Sequence, residues 1–324
     1  MTIGAVPSYL IDASGAETFT VDRASLERLR ERDDFYWLDL HEVSEGNVEM
    51  LGEVFGFHPL AVEDATHFGQ RPKLDAYDDY IFLVAYGAAP DEDDLVEVHC
   101  FYAERFLVTV RRDSCPAFKE VRERHARRPG EPSAPVLVLY RVVDGLVDSF
   151  FPLLSDFDDF IDAVEEGIFA RPDEEQLRRV FLMKRRLVTL RKVVSPQRDL
   201  MATVANGVAE LPGMTPDAER HFRDVYDHLI RLTDVIDSYR DLLTGVTDVY
   251  LSTVSNRLNA VMKQLAMIAT VFLPLSFVTG FFGQNFGWMV THVGGLPAFV
   301  GLGIGTQLAT VALLVVYFRR QGWA

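Results

Sequence analysis

Two neutral amides, Gln284 and Asn285, follow Gly283 where a long apolar run stops, in the segment FVTGFFGQNFGWM. No acid or base lies close to them in the sequence. Amide oxygens accept hydrogen bonds and amide nitrogens donate them. The pattern therefore indicates recognition through neutral hydrogen-bonding groups at the end of an apolar segment. Gly283 is also a typical residue for ending a helix.

A second set of residues is a row of acids spaced by seven: Asp227, Asp234, Asp241 and Asp248, with Asp224 one turn earlier. At 3.6 residues per turn, the same stripe continues through mostly small or polar residues, namely Ser252, Ser255, Asn259, Met262, Ala266, Ala269, Leu273, Ser276 and Gly280. Such a stripe is either a solvated face followed by a helix-packing seam, or the wall of a water-filled path. One helix cannot enclose a path, so the second interpretation requires several copies.

The charge of the 324-residue chain is divided very unevenly. Residues 1–264 carry all 48 acids and 30 of the 32 bases, a net charge of −18, whereas residues 265–324 carry only Arg319 and Arg320. An acidic body repels nucleic acid and favours cations, so we expect no nucleic-acid partner. Cys100 and Cys115 form no metal-type cluster and are expected to be ordinary buried thiols in a reducing cytoplasm.

Two apolar runs close the sequence, residues 265–283 and 296–318, and each is long enough to cross a bilayer core of roughly 30 Å. The bases Arg257, Lys263, Arg319 and Arg320 flank them, whereas the connecting loop 284–295 has none. The positive-inside rule therefore places both termini in the cytoplasm and the loop outside. We predict a multi-pass protein of the inner (plasma) membrane, with the bilayer as a partner.

The remaining sequence predicts a cytoplasmic α/β domain over 1–132, long cytoplasmic helices and a stalk over 133–264, and a membrane part over 265–324. Alternating apolar residues predict strands at 35–40, 80–86, 96–102 and 106–110. Helical patterns occupy 58–67, 116–128, 136–169 and 173–206. A third long helix is predicted over 215–283, about 100 Å if unbroken. The fold class is thus α+β with a membrane part.

The stalk and the triplet Gly283-Gln284-Asn285 resemble the CorA family of divalent-cation channels, also called two-transmembrane Gly-x-Asn proteins. The resemblance extends through HPLAVEDATHFGQRPKLDAYDDYIFLV and FARPDEEQLRRVFLMKRRLVTLRKVVSPQRDLM, and so covers nearly the whole chain. It implies a homopentameric funnel with a central pore lined by the first membrane helix. Members pass Mg²⁺ and often Co²⁺ or Ni²⁺, driven by the membrane potential, so the chain is expected not to be an enzyme.

The resemblance also implies roles for individual residues. The selectivity filter would be Gly283, Gln284 and Asn285. Pore-lining residues would be Asp248, Asn259, Met262, Leu265, Leu273 and Ser276, with Met262 and Leu265 forming the hydrophobic gate. Asp224, paired across a subunit boundary with the acidic turn Asp91 to Asp94, would sense intracellular Mg²⁺, which would then be both transported and regulatory.

Two features depart from the family pattern. The usual triplet is Gly-Met-Asn, and here Gln284 replaces the methionine. The outer loop FGWMVTHVGG is neutral apart from His292 and lacks the acid common after the triplet. Ion preference is therefore less constrained than the fold. A Zn²⁺ transporter of the same family, proton-coupled or not, is the first alternative function.

Neutral amides suit a strongly hydrated dication. Mg²⁺ gives up its water reluctantly, so carboxylates that stripped it would bind too tightly, whereas Asn285 amides and Gly283 carbonyls can hydrogen-bond to the intact hydration shell. Five helix C-termini would add negative dipole ends without any charged side chain. We expect emptied Asp224 sites to let the stalks splay and widen the gate.

Two alternatives lie outside transport. A membrane-anchored metalloenzyme is disfavoured, because none of the eight histidines forms a His-x-x-x-His pair or a His-Glu-x-x-His motif. His221 and His228 are seven residues apart on one helix, too far for one ion, and are expected to be packed or solvated. A membrane-anchored metal sensor without transport remains open given the altered triplet.

Overall fold

The computed structural model describes residues 8–41, 44–89, 95–127, 134–284 and 286–322. It divides into two compact units between Thr247 and Asp248. Within the described residues the first unit has one seven-stranded sheet. Its strands are β1 Ser8–Asp12, β2 Gly15–Phe19, β3 Tyr36–His41, β4 Lys73–Ala76, β5 Ile81–Ala88, β6 Leu95–Ala103 and β7 Phe106–Arg111.

The sheet has the order β2-β1-β3-β7-β6-β5-β4. Strands β3 and β7 pair in parallel, and the other pairs of described strands are antiparallel. Every residue of β3 and β5 is buried, as expected for strands covered on both faces. The four predicted strands are confirmed, whereas β1, β2 and β4 carry weaker alternation and were not predicted.

Helices of the first unit pack on and beside this sheet: α1 Arg23–Arg30, α2 Glu45–Phe55, α3 Pro59–Thr66, α4 Pro116–Arg127, α5 Val136–Asp148, α6 Phe150–Ala170 and α7 Glu174–Ala205. Helix α4 contacts β1 and β2, and α5, α6 and α7 contact β5. The first unit is therefore a mixed sheet with helices on it, as the sequence predicted. Cys100 and Cys115 are free, buried thiols, which also agrees.

A buried ion cluster holds α4 to the middle of the sheet. Asp39 of β3 is fully buried, and its two oxygens accept hydrogen bonds from Arg111 Nε at 3.1 Å and Nη2 at 3.0 Å. Arg122 of α4 donates to the same carboxylate at 2.6 Å, and Thr109 Oγ1 donates at 3.1 Å. Because each charge has a partner, the cluster fixes the helix without leaving a bare ion in the core.

The single helix predicted over 136–169 is wrong, because the chain turns at Ser149 between α5 and α6. Pro152 is the third residue of α6 and has no N–H to donate to the Asp148 carbonyl, so a continuous helix would lose that bond. The Ser149 hydroxyl accepts from Ala88 N at 2.7 Å and donates to Leu146 O at 2.5 Å. The break is thereby tied to strand β5.

The long helix predicted over 215–283 is confirmed as α8, Pro216–Phe282. Its buried residues within the first unit recur at heptad-like intervals: Phe222, Val225, Leu229, Leu232, Ile236, Leu243 and Val246. This period keeps one apolar side turned inward over many turns. Helix α7 is confirmed as well, with Asp173 at its N-terminus accepting from Gln176 N.

The second unit contains the end of α8, then α9 Gly287–His292, α10 Leu296–Ala298, a π-helical segment Phe299–Gly305 and α11 Thr306–Arg320. Helix α8 and the stretch Leu296–Arg320 are both long and apolar enough to cross a membrane. The second membrane-type helix predicted over 296–318 is confirmed, and its first part is π-helical over Phe299–Gly305, a segment that contains Gly301, Gly303 and Gly305. Glycines weaken regular helix locally, and π turns are frequent at functional positions.

Candidate functional site

Helix α8 has two distinct sides within the second unit. One side is half-buried and recurs at helical spacing: Lys263, Met267, Val271, Pro274, Leu275 and Val278. At its start, Lys263 Nζ lies 3.4 Å from the Gly322 carbonyl oxygen just beyond α11, so this side faces the second membrane-type helix there. The rest of the circumference is exposed.

Four of the residues predicted to line a pore lie on the opposite side of the helix. At 3.6 residues per turn, Met262, Leu265, Leu273 and Ser276 project away from the half-buried side, whereas Asn259 lies one turn before Lys263 at the edge of that side. All five are exposed. Met262 is 56%, Leu265 60% and Leu273 70% exposed. Large apolar side chains left open in one chain are available to contact other copies or a path between them.

The filter triplet comes at the C-terminal end of α8. Gly283 N donates to Thr279 O at 2.9 Å, and Gln284 N donates to Phe281 O at 3.3 Å. Gln284 lines a cavity of about 260 Å³ with Met289, Val293 and Phe299. The middle residue of the triplet therefore lines the same cavity as residues of α9 and of the π-helical segment. Asn285 lies outside the described residues.

The acidic row of α8 is exposed in the first unit. Asp224, Asp227, Asp234 and Asp241 are all exposed, on the side away from the buried heptad residues, and Asp248, the first residue of the second unit, is exposed too. This exposure fits both interpretations of the row, a solvated face and the wall of a path. The predicted partners of Asp224, Asp91 and Asp94, lie outside the described residues.

The structure instead brings Asp224 together with three residues of its own chain. His228 Nε2 is 3.9 Å from Asp224 Oδ2, and His228 Nδ1 is 3.3 Å from Asp148 Oδ1 of α5. Single ligand atoms of Asp144, Asp224 and His228 all lie within 4.8 Å of one another. We call these four residues, Asp144, Asp148, Asp224 and His228, the α5–α8 cluster.

The electrostatics of the α5–α8 cluster suit a dication. Burial, helped by the charge of Asp148, raises the pKa of Asp144 above its ordinary value. Asp144 Oδ1 is buried without a hydrogen-bond partner among the described residues, and buried His228 Nδ1 has only the ion-pair contact with Asp148 Oδ1 at 3.3 Å. Three carboxylates around one imidazole repel each other unless a cation or a proton lies between them. Carboxylate oxygens suit Mg²⁺, and the imidazole adds affinity for transition metals.

The sequence analysis predicted a packed or solvated side chain for His228 and gave Asp144 and Asp148 no role. It therefore missed this cluster. A signal was available in the sequence. Asp144 and Asp148 are four residues apart on α5, and Asp224 and His228 are four apart on α8, so each pair shares a helix face. The sequence alone did not show that α5 packs beside α8.

Comparison with known proteins places these features in a family. A family model described as "CorA-like Mg2+ transporter protein" matches residues 32–320. The cobalt/magnesium transport protein CorA of Thermotoga maritima is 34% identical over 94% of this chain and 88% of its own. The zinc transport protein ZntB of Cronobacter sakazakii is 27% identical over 98% of this chain and 94% of its own.

A solved structure has the same fold. The complete structure of the CorA magnesium transporter from Methanocaldococcus jannaschii matches with a TM-score of 0.83 at 20% identity, covering 98% of this chain and 99% of that one. At that identity the likeness bears on the fold alone. It extends over both units of the chain.

Proposed function

The chain belongs to the CorA-like Mg²⁺ transporter family, and from this premise we propose that it carries Mg²⁺ inward through a pore formed by five copies of α8. The family is one of divalent-cation transporters and not of enzymes. Co²⁺ and Ni²⁺ are further candidate substrates. We place the protein in the inner (plasma) membrane with both termini in the cytoplasm, because the bases flank the two spans on one side.

One observation carries the proposal: Met262, Leu265, Leu273 and Ser276 are exposed on the side of α8 opposite to its half-buried side, and Asn259 is exposed at the edge of that side. A helix anchored on one side by its own chain presents the other side to neighbouring copies. Small and polar residues on that side suit a path that water can fill, and Met262 and Leu265 suit a gate that closes by excluding water.

The filter in this proposal is neutral. Asn285 amides and Gly283 carbonyls accept hydrogen bonds from the hydration shell, so Mg²⁺ enters with much of its water. The C-terminal end of each α8 supplies roughly half a negative charge toward the outer mouth. Inward movement of a dication then gains about 4.6 kcal/mol per 100 mV, twice the value for one charge. No other energy source is required.

Regulation is assigned to the α5–α8 cluster, together with the acidic turn that contains Asp91 and Asp94. Internal Mg²⁺ bound at Asp224 offsets the repulsion between the acidic first units and holds the closed arrangement. When internal Mg²⁺ falls, the site empties and the gate residues Met262 and Leu265 separate. The transported ion, once inside, thus inhibits its own further transport.

Zn²⁺ is the second candidate substrate, and two observations favour it. Similarity to a zinc transport protein spans nearly the whole chain. In addition, His228 lies in the α5–α8 cluster and His292 in the outer segment α9, and imidazole is a better ligand for Zn²⁺ than for Mg²⁺. A proton gradient is a further driving force to examine for this substrate.

Uptake into liposomes tests the proposal. The purified chain should admit Mg²⁺ when an inward-negative potential is imposed, and Asn285→Ala should reduce the initial rate at least about ten-fold by removing the ring of amides. Asn206→Ala is the matched control, since it changes the same residue type at the exposed C-terminal end of α7 in the first unit, and it should transport normally. Zn²⁺ flux without Mg²⁺ flux at controlled pH would assign the second substrate, and no flux of either ion would refute transport.

A further inference from the structure

A cavity of about 790 Å³ lies at one end of the sheet in the first unit. It is bordered by the turn between β4 and β5, the turn between β6 and β7, the segment 210–212 that follows α7, and the end of α1. Tyr102 Oη donates to the Pro212 carbonyl at 2.9 Å, which ties the segment 210–212 to the sheet. The volume is that of a small-molecule site.

Part of the lining of this cavity is aromatic. Phe55 of α2 and Phe106 of β7 have ring centroids 5.6 Å apart, and both side chains are half-buried. Tyr77 and Tyr80 form a second, stacked pair with centroids 4.8 Å apart. Because Phe55 and Phe106 keep part of their surface open, they can pack against the apolar or aromatic part of a ligand.

Tyr36 brings an unpartnered hydroxyl to the same cavity. Tyr36 is 2% exposed and lines the cavity, yet its hydroxyl makes no hydrogen bond to a described residue. The hydroxyls of three other buried tyrosines each make one, namely Tyr80, Tyr86 and Tyr102. A buried polar group without a partner is costly, so the Tyr36 hydroxyl indicates a ligand that completes it.

The surroundings of Tyr36 favour an anionic acceptor. Burial raises the pKa of Tyr36, although the positive charges of Arg105 and Arg32 act to lower it. The hydroxyl therefore keeps its proton at neutral pH and can donate. Arg32 is already paired with Asp12, and Arg105 donates to the Arg32 carbonyl. Arg30, which also lines the cavity, has no ion pair with a described residue and is available to a carboxylate.

The opposite charge lies at the other borders of the cavity. Four exposed acids line it: Asp78, Asp79, Glu104 and Glu210. None of their side chains forms an ion pair or a hydrogen bond with a described residue. Exposed acids by themselves are ordinarily only solvated. Beside the donors at Tyr36 and Arg30, however, they favour a ligand that carries a positive charge as well as a carboxylate.

We propose that this cavity binds a zwitterion with an aromatic side chain, the chemistry of a free aromatic amino acid or of a short peptide that contains one. The carboxylate accepts from Tyr36 and Arg30, the ammonium group lies among the four acids, and the side chain packs against Phe55 and Phe106. A simple organic cation would leave the Tyr36 hydroxyl without an acceptor. None of the residues assigned to the ion path lines the cavity, so this proposal and the proposed transport fail independently.

Isothermal titration calorimetry tests the ligand, with L-phenylalanine as the probe and the full chain in nanodiscs of neutral phosphatidylcholine. EDTA is kept in the buffer so that divalent ions do not occupy the carboxylates. We expect saturable binding of L-phenylalanine. N-acetyl-L-phenylalanine lacks the ammonium group and L-phenylalaninamide lacks the carboxylate, so each should bind at least about ten-fold more weakly. Glycyl-L-phenylalanine separates the two sources, because tighter binding than L-phenylalanine assigns the cavity to short peptides and weaker binding assigns it to the free amino acid.

Tyr36→Phe removes only the hydroxyl at the carboxylate end. It should weaken binding of L-phenylalanine about ten-fold and binding of L-phenylalaninamide much less. Because this hydroxyl has no hydrogen bond to a described residue, the urea midpoint of the first unit should not fall, whereas loss of a structural role would lower it. Tyr226→Phe on α8 is the matched control, since Tyr226 does not line the cavity, and its affinity should be unaltered.

Glu104→Gln with Glu210→Gln tests the ammonium end. The double variant should weaken binding of L-phenylalanine at least about ten-fold without weakening that of N-acetyl-L-phenylalanine. Glu165→Gln with Glu166→Gln removes the same charge from exposed positions of α6 outside the lining, and it should bind L-phenylalanine as the unaltered chain does.

Three results would overturn the proposal. The first is no saturable binding of either L-phenylalanine or glycyl-L-phenylalanine by the unaltered chain. The second is equal affinity for L-phenylalanine and for either of its blocked derivatives. The third is unchanged affinity for L-phenylalanine in Tyr36→Phe with its circular dichroism intact.

Discussion

At the residue scale, the acids of this protein differ in what surrounds them. Asp39 is neutralised by two arginines in the core, whereas the α5–α8 cluster has three carboxylates and a single imidazole. A carboxylate whose charge is paired with cationic side chains stabilises the fold, whereas a group of carboxylates with too few cationic partners favours the binding of a cation. This contrast separates the structural carboxylate at Asp39 from the candidate regulatory one at Asp224.

We expect Asp224→Ala to raise the internal Mg²⁺ concentration that half-inhibits transport at least about ten-fold, because the cluster loses a charged ligand. His228→Ala should change inhibition by Co²⁺ more than inhibition by Mg²⁺, since imidazole favours the transition metal. Flux into liposomes preloaded with each ion measures both. Asp217→Ala removes an equal charge at the start of α8 outside the cluster, and inhibition should be unaltered. Unchanged inhibition in Asp224→Ala would contradict the regulatory assignment.

Glu97 provides a pH prediction. Burial acts to raise its pKa, but hydrogen bonds from His99 Nε2 and from the Gly69 and Gln70 amides outweigh burial, so the pKa is lowered below the ordinary 4.5. Its stabilisation is therefore complete above about pH 4.5 and is lost as pH falls through the folded-state value. Glu97→Gln should lower the urea midpoint at pH 6 but progressively less toward pH 3.

Trp37 fluorescence measures this effect, because Trp37 is buried in the first unit and the other two tryptophans lie beyond residue 247. Glu165→Gln on the exposed side of α6 is the control, and it should not move the midpoint. A constant difference between Glu97→Gln and the unaltered chain from pH 6 to pH 3 would show that charge is not the source of the effect.

At the element scale, α8 combines a buried side, whose residues have heptad-like spacing, with an exposed acidic row. The helix period places the two sets of residues on different sides of the same helix. The buried side anchors the helix in the first unit, which leaves the other side available for ions and other copies. Leu229 is fully buried on the anchored side. A defect there should weaken the fold without touching the proposed pore residues.

We predict that Leu229→Ala lowers the free energy of unfolding of the first unit by about 2–5 kcal/mol, the usual cost of a cavity at a buried leucine. Urea unfolding followed through Trp37 fluorescence would measure the loss. Val208→Ala makes a similar truncation at a side chain that is 77% exposed, and it should stay within about 0.5 kcal/mol. A loss below 1 kcal/mol at Leu229 would mean that this side of α8 is not anchored as described.

At the scale of the whole molecule, a single chain leaves its proposed pore residues open, so the proposed function requires an assembly. We expect the purified protein to have five times the 36.6 kDa mass of one chain when the detergent contribution is subtracted in light scattering. Removing divalent ions should make the first unit more sensitive to protease, since repulsion between the acidic first units of neighbouring copies is no longer offset. A stable monomer or dimer that still transports Mg²⁺ would refute the pentamer.

Much of this organisation could be read from residue patterns. The apolar spans, the continuous helix over 216–282 and the four central strands followed from periodicity and length, and the family followed from the resemblance of the triplet and the stalk to known members. All of these signals are local in the sequence. The amide triplet and the stripe from Asp248 to Ser276 were also visible in this way, because helix geometry converts spacing into a face. Their roles in conduction stay predictions.

Other features were decided by packing between distant segments. Only the approach of α5 to α8 joins Asp144 and Asp148 to Asp224 and His228, and only the pairing of the strands brings Tyr36, Phe106 and two separate turns to the lining of one cavity. The break at Ser149 depends on its contact with strand β5, and the π turns at Gly301, Gly303 and Gly305 depend on backbone freedom that hydropathy does not report. Periodicity determines which face of an element is polar, but the element opposite that face is chosen by the tertiary fold.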